Sequence, residues 1–197
     1  MVESPTELIE TLKLLNQGGA LTGNKLVSLS CSGGEASLVA DLSEQTSLRF
    51  EPFSSEQHQR ITATLTELVT VGNPFDYHTF MWGDRVATAN TFAEVMNGPH
   101  DATMLILDTP PRDDQPSDSW TVAAQSLGDA AAKTNKRGIV VATISECVTA
   151  EVRGAARSAN MTVLQGLQES LAAIDAAAWL GLNLPGEAPA KVVAPHA

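Results

Sequence analysis

Between residues 26 and 45 the chain reads LVSLSCSGGEASLVADLSEQ. A short apolar run breaks at Ser-Cys-Ser-Gly-Gly and a helical pattern follows at once. That order sets the free N–H groups of a helix's first turn at the end of a strand. Ser32, Gly33 and Gly34 are the candidate residues. Glycines let a ligand approach the backbone, serine hydroxyls at 30 and 32 add donors, and the helix dipole favours an anion. The same residues read equally well as a serine N-cap on a tight turn. Neither the Gly-x-x-x-x-Gly-Lys-Ser/Thr loop of NTPases nor the Gly-x-Gly-x-x-Gly dinucleotide fingerprint is present.

The second constellation is GNPFDYHTFMWGD, residues 72–84. Pro74 fixes the backbone between Asn73 and Asp76, so both polar side chains are held at defined positions. They either order a ligand-bearing loop or stabilise an irregular connection as Asx-turns. His78 is the one histidine in a candidate site loop; His58 lies in a polar helix, His100 in a turn and His196 in the tail. Tyr77 and Trp82 either line an apolar pocket or cover the sheet end. Arg112, beside Asp113 and Asp114, reads as part of a solvated loop. Cys31 and Cys147 have neither metal-ligand nor CxxC spacing, so both read as structural and no metal is expected.

The elements that must position these loops alternate. A leading helix over 3–16 has Ser4 as its cap, Pro5 in its first turn and Glu7 three residues after the cap. Apolar runs predict strands at LVSLS, ELVTV, ATMLILD, GIVVATI and MTVLQ, with SLRFEPF extended. Helices are expected at about 34–45, 54–65, 84–97, 119–134, 149–159 and 167–181. Such alternation implies a mainly parallel sheet with helices on both faces, LVSLS central and MTVLQ at or near an edge. Ligands of such sheets bind beyond the strands' carboxyl ends, where the two candidate loops, LDTPPRDDQ and TISECVT converge. The expected organisation is a leading helix and connection at 1–23, one domain at 24–181 and a Pro/Ala-rich linker or tail at 182–197.

Composition narrows the function classes. The formal net charge of −11, with Lys and Arg scattered singly, argues against nucleic acid. The N-terminus lacks a signal-peptide pattern and no apolar run reaches the ~18–20 residues of a membrane span, so no membrane partner and a cytoplasmic location are expected.

The stretch GNKLVSLSCSGGEASLVADLSEQTSLRFEPFSSEQHQRI, followed at the right distance by VGNPFDYHTFMWGD, resembles one module of the NDP-forming acyl-CoA synthetases, relatives of succinyl-CoA synthetase. The module is the second succinyl-CoA-ligase-like flavodoxin domain, and the likeness spans about residues 3–181. It implies a flavodoxin-like three-layer α/β/α sandwich. It also implies partners, in the same chain or as separate subunits: a CoA-binding/phosphohistidine domain and an ATP-grasp domain. A homo-oligomer is left open.

In the family a histidine takes the phosphoryl group from an acyl phosphate and phosphorylates NDP, and CoA receives the acyl group. Two helix N-termini face that phosphohistidine. The resemblance gives this role to Ser32, Gly33 and Gly34, with Asn73, Asp76 and His78 in the adjoining site loop. Nothing here matches the phosphorylated-histidine loop, the CoA-binding unit or the ATP-grasp module. No catalytic residue is therefore expected in this chain, the isolated chain is expected to be inactive, and no cofactor is expected to bind tightly. CoA and ATP/ADP with Mg are implied for the full enzyme. Two rival readings remain. One is a stand-alone FMN-binding electron carrier, since the turn also looks like a flavodoxin phosphate loop and DYHTFMW offers flavin-flanking aromatics. The other is a non-catalytic docking subunit.

Overall fold

The computed structural model describes residues 2–66, 69–110 and 117–184. Its elements are α1 (Pro5–Gly18), β1 (Leu26–Ser30), α2 (Gly33–Ser43), α3 (Ser55–Thr62), β2 (Phe75–Asp76), α4 (Arg85–Met96), β3 (Ala102–Ile106), α5 (Asp118–Thr134), β4 (Gly138–Ala142), α6 (Ala150–Ser158), β5 (Thr162–Gln165) and α7 (Leu167–Asn183). All strand pairs are parallel, in the order β2-β1-β3-β4-β5. β3 is the middle strand, β1 lies between two neighbours, and β5 is an edge.

β1, β3 and β4 are buried along their whole length, which explains why they read as unbroken apolar runs. Alternate residues face opposite cores. Leu26, Met104, Ile106, Ile139 and Val141 join Leu14 of α1, Val39 of α2 and Ile174 of α7 on one face. Val27, Leu29, Leu105 and Val140 join Ile61, Phe92, Leu127 and Val152 on the other. The architecture is thus the expected three-layer α/β sandwich. No helix among the described residues is long and apolar enough to cross a membrane.

The expected strand ELVTV is not seen among the described residues. Its first two residues lie outside the described ones, and Val69–Val71 carry no strand. β1 finds its outer neighbour in three pieces instead. Arg49 bridges the start: Leu26 N–H donates to its carbonyl at 2.8 Å, and its own N–H donates to Asn24 O at 2.8 Å. The Asn73 side chain bonds the middle, and Phe75–Asp76 pair with Leu29–Ser30 at the end. Pairing supplied by a side chain and by two residues of an irregular loop leaves no apolar run to read.

The leading helix covers the β5 edge. Glu10 Oε2 accepts the Gln165 N–H at 3.1 Å, and Gln17 Nε2 donates to Met161 O at 2.9 Å. Arg137 caps the C-terminal end of α1, donating to Leu14 O at 2.9 Å and Gly19 O at 2.8 Å. α7 runs to Asn183, two residues beyond the expected limit.

Candidate functional site

At the carboxyl end of β1 the chain turns through Cys31 and enters α2 at Gly33. Ser32 is the N-cap, with extended backbone (φ −147°, ψ 134°) and Oγ accepting the Glu35 N–H at 3.3 Å. Ser30 Oγ donates to Ser32 O at 3.2 Å and fastens the turn from below. Neither Gly33 nor Gly34 has the positive φ that demands glycine. A Cβ at Gly33 would meet only Asp76 Oδ2, at 3.5 Å, and one at Gly34 only Ser32 Oγ, at 3.5 Å, both ordinary contacts. The turn does not need the glycines. What their missing side chains leave is uncovered backbone N–H groups in the first turn of an eleven-residue helix.

Asp76 and His78 come to this turn. Asp76 Oδ1 accepts the His78 N–H at 2.9 Å, an Asx-turn, and Oδ2 points toward Gly33 and lies 3.7 Å from His78 Nε2. His78 has φ 58°, a strained conformation for a non-glycine residue. Its ring stacks on exposed Phe80, with centroids 5.6 Å apart.

Asn73 is held away from the turn. Its amide donates to Leu26 O at 2.9 Å and Glu51 O at 3.0 Å, and its Oδ1 accepts Ser28 N–H at 3.2 Å. All three bonds go to backbone near the start of β1, so Asn73 is a sheet-edge residue. Tyr77 and Trp82 do not line an open pocket: Tyr77 is fully buried edge-on against Phe92, and Trp82 packs edge-on against Trp120. His100, in the bend before β3, is buried, and Arg112 and His196 lie outside the described residues.

Two residues that the sequence reading did not single out complete the site. Glu35 stands three residues after the cap, and Ser32-x-x-Glu35 is a capping-box spacing that flags it. Burial first, then the nearby Asp108, push the Glu35 carboxyl up to about 7. Asp108 follows the end of β3, a position that also flags it. Its carboxylate accepts the Thr143 N–H at 2.7 Å and the Thr143 hydroxyl, tying β3 to β4. Burial and then Glu35 push the Cys31 thiol up to about 12, so it is no thiolate nucleophile. Burial likewise raises the Cys147 thiol.

This fold recurs in solved structures. The crystal structure of PH0766 from Pyrococcus horikoshii OT3 matches over 93% of this chain and 41% of its own, with a TM-score of 0.75 and 16% identity. The dinucleotide-forming acetyl-coenzyme A synthetase 1 of Ca. Korarchaeum cryptofilum matches in its apo form over 90% of this chain and 38% of its own, with a TM-score of 0.69 and 16% identity. The same enzyme in complex with phosphate and ADP matches over 95% and 40%, with a TM-score of 0.69 and 15% identity. The chain therefore spans about 40% of the length of these solved chains. No protein-family model matches it, and no curated protein does.

Glu35 and Asp76 flank the turn, and no ion pair to Lys or Arg balances these carboxylates among the described residues. Nor does any group of three His, Cys, Asp or Glu among those residues offer a metal site.

Proposed function

We propose that this chain is the second ligase-like flavodoxin domain of an NDP-forming acyl-CoA synthetase, and that the N-terminus of α2 faces the phosphohistidine carried by a partner domain. One coincidence carries the reading. A helix N-terminus left bare by two glycines that its backbone does not require stands at the strand ends of a fold shared with a segment of an acetyl-CoA synthetase. The chain's own role is electrostatic. Backbone N–H groups of α2 and the Ser32 hydroxyl stabilise a phosphoryl group presented to them, and Asp76 holds the neighbouring loop in place. CoA and the nucleotide with its metal bind to the partner domains, which supply the acyl and phosphoryl chemistry. The exposed Leu38, Phe80, Val86 and Ile144 belong to segments that meet this end of the sheet, and their exposure suits burial against another domain.

The test is Gly33→Val in the assembled enzyme. A Cβ at Gly33 meets only Asp76 Oδ2, at 3.5 Å, so the variant is expected to fold, and its thermal midpoint checks this. The isopropyl group covers the N–H groups, and phosphoryl transfer in a single turnover slows by ~10–100-fold while CoA affinity holds. A folded variant with parental transfer rates returns the turn to an ordinary cap. The isolated chain is expected neither to hydrolyse ATP nor to take label from it; a stable phosphohistidine at His78 would overturn the reading.

A further inference from the structure

The exposed large apolar side chains of the described residues fall into two groups. Leu38, Phe80, Val86 and Ile144 belong to segments at the strands' carboxyl ends, and the others lie on α1, on α7 or just beyond the ends of those helices. α1 and α7 pack side by side and run in the same direction. Glu10 bonds Gln165 just before α7 begins, and Leu21, just past α1, bonds Ala177. Each helix buries one face, with Thr11 and Leu14 inward on α1 and Leu171, Ile174 and Ala178 inward on α7. Helical periodicity turns the opposite faces out. There Leu8, Ile9 and Leu12 are 46%, 56% and 55% exposed, and Trp179 is 58% exposed. The outward positions 5, 8, 9, 12 and 16 of α1 and 168, 172, 176, 179 and 183 of α7 hold no charged residue, in a chain of net charge −11. Solvated helix faces carry charge, whereas the centre of an interface is depleted of it.

The shape of this face says what covers it. Leu8, Ile9 and Leu12 make a ridge near the start of the helix pair. Ala172 and Ala176, half-buried, make a trough on the neighbouring helix, about two turns further along. A two-fold axis between ridge and trough lays the ridge of one copy along the trough of another, and the same contact repeats by symmetry. The axis also brings Trp179 over the start of the second copy's α1, and a half-exposed tryptophan is the commonest kind of interface anchor. Area is sufficient. Helices of 14 and 17 residues lying about 10 Å apart present a face of about 20 by 25 Å. Two such faces together cover about 1,000 Å², the least that a specific interface buries.

We propose that the outer face of α1 and α7 is a self-association surface, and that its occupant is a second copy of this chain packed about a two-fold axis. The face lies beside the sheet rather than beyond the strands' ends, so its test is independent of the role given to the α2 N-terminus.

Sedimentation equilibrium on the 197-residue chain, from about 1 to about 100 μM, reads the association. The expected result is a monomer–dimer equilibrium that reaches twice the 20.7 kDa of one chain. Ile9→Glu places a charge on the ridge and Ala176→Glu one in the trough. Each raises the dimer dissociation constant by at least about tenfold. Ile9 is already half-exposed, so Ile9→Glu keeps the parental far-UV circular dichroism. Val86→Glu, at the strands' carboxyl ends, leaves the dimer as it is. A parent that stays at 20.7 kDa throughout overturns the proposal and leaves the face to a different protein or domain. A dimer that survives Ile9→Glu and Ala176→Glu, or that Val86→Glu breaks as readily, overturns it as well, because the copies then meet elsewhere.

Discussion

Asn73 commits its whole amide to backbone. It bonds Leu26 and Ser28 on β1 and Glu51 on the adjoining extended segment, standing in for the strand residues that would otherwise pair there. Asn73→Ala leaves two carbonyls and one N–H without these partners. At about 1 kcal/mol net for each bond, we expect a loss of ~2–3 kcal/mol in urea denaturation. A change below ~0.5 kcal/mol would mean that water replaces the amide. The sequence placed Asn73 beside Asp76 because both flank Pro74. It could not reveal that Asn73 pairs with a backbone group 45 positions earlier. Ser32, Gly33 and Gly34 were legible because strand-turn-helix grammar alone sends them to one end of the sheet, whereas Asp76 and His78 were placed there by following an expected strand that the described residues do not carry. Glu35 was within reach of the same grammar through its spacing from Ser32.

At the scale of elements, local signals and contacts divide the fold between them. Four of the five strands announce themselves as apolar runs buried on both faces or, for β5, nearly so. β2 is two residues long and exists only because β1 offers it hydrogen bonds, so no local pattern could mark it. The docking of α1 was equally hidden, since Glu10 and Gln17 look like exposed polar residues until β5 is beside them. α7 meets the connection after α1 at Gly181, where a Cβ would run into the Leu21 carbonyl oxygen. Leu21 N–H also donates to Ala177 O at 3.0 Å, so that connection cannot move away without losing a bond. Gly181→Ala is expected to destabilise by ~2 kcal/mol or more. Gly154→Ala, on exposed α6 backbone with open space at the Cβ position, should stabilise by ~0.5–1 kcal/mol. Equal effects from the two, read from urea midpoints, would contradict this account of the α1–α7 contact.

For the whole molecule, stability responds to pH through two groups at opposite ends of the sheet, and they act in opposite senses. Glu35 lies beyond the strands' carboxyl ends and His100 just before β3. The Glu35 carboxyl, raised from 4.5 to about 7, binds its proton more readily in the folded chain. Its contribution is therefore fully present below about 4.5 and is lost as pH rises through about 7. His100 Nε2 lies 3.0 Å from Thr103 Oγ1, and burial first, then Lys136, lower the imidazole from 6.5 to about 4. Its neutral form is favoured by folding, so its contribution is present above 6.5 and is lost as pH falls through about 4, on the order of 3 kcal/mol in all. Between about 4.5 and 6.5 acidification thus strengthens the fold through Glu35 and weakens it through His100. Urea midpoints at pH 8, 6.5 and 4.5 separate them. The stability difference between parent and Glu35→Gln should move in the parent's favour as pH falls from 8 to 4.5. The difference between parent and His100→Gln should move against the parent from 6.5 to 4.5. Profiles that run parallel to the parent's in both variants would show that neither group carries the pH dependence.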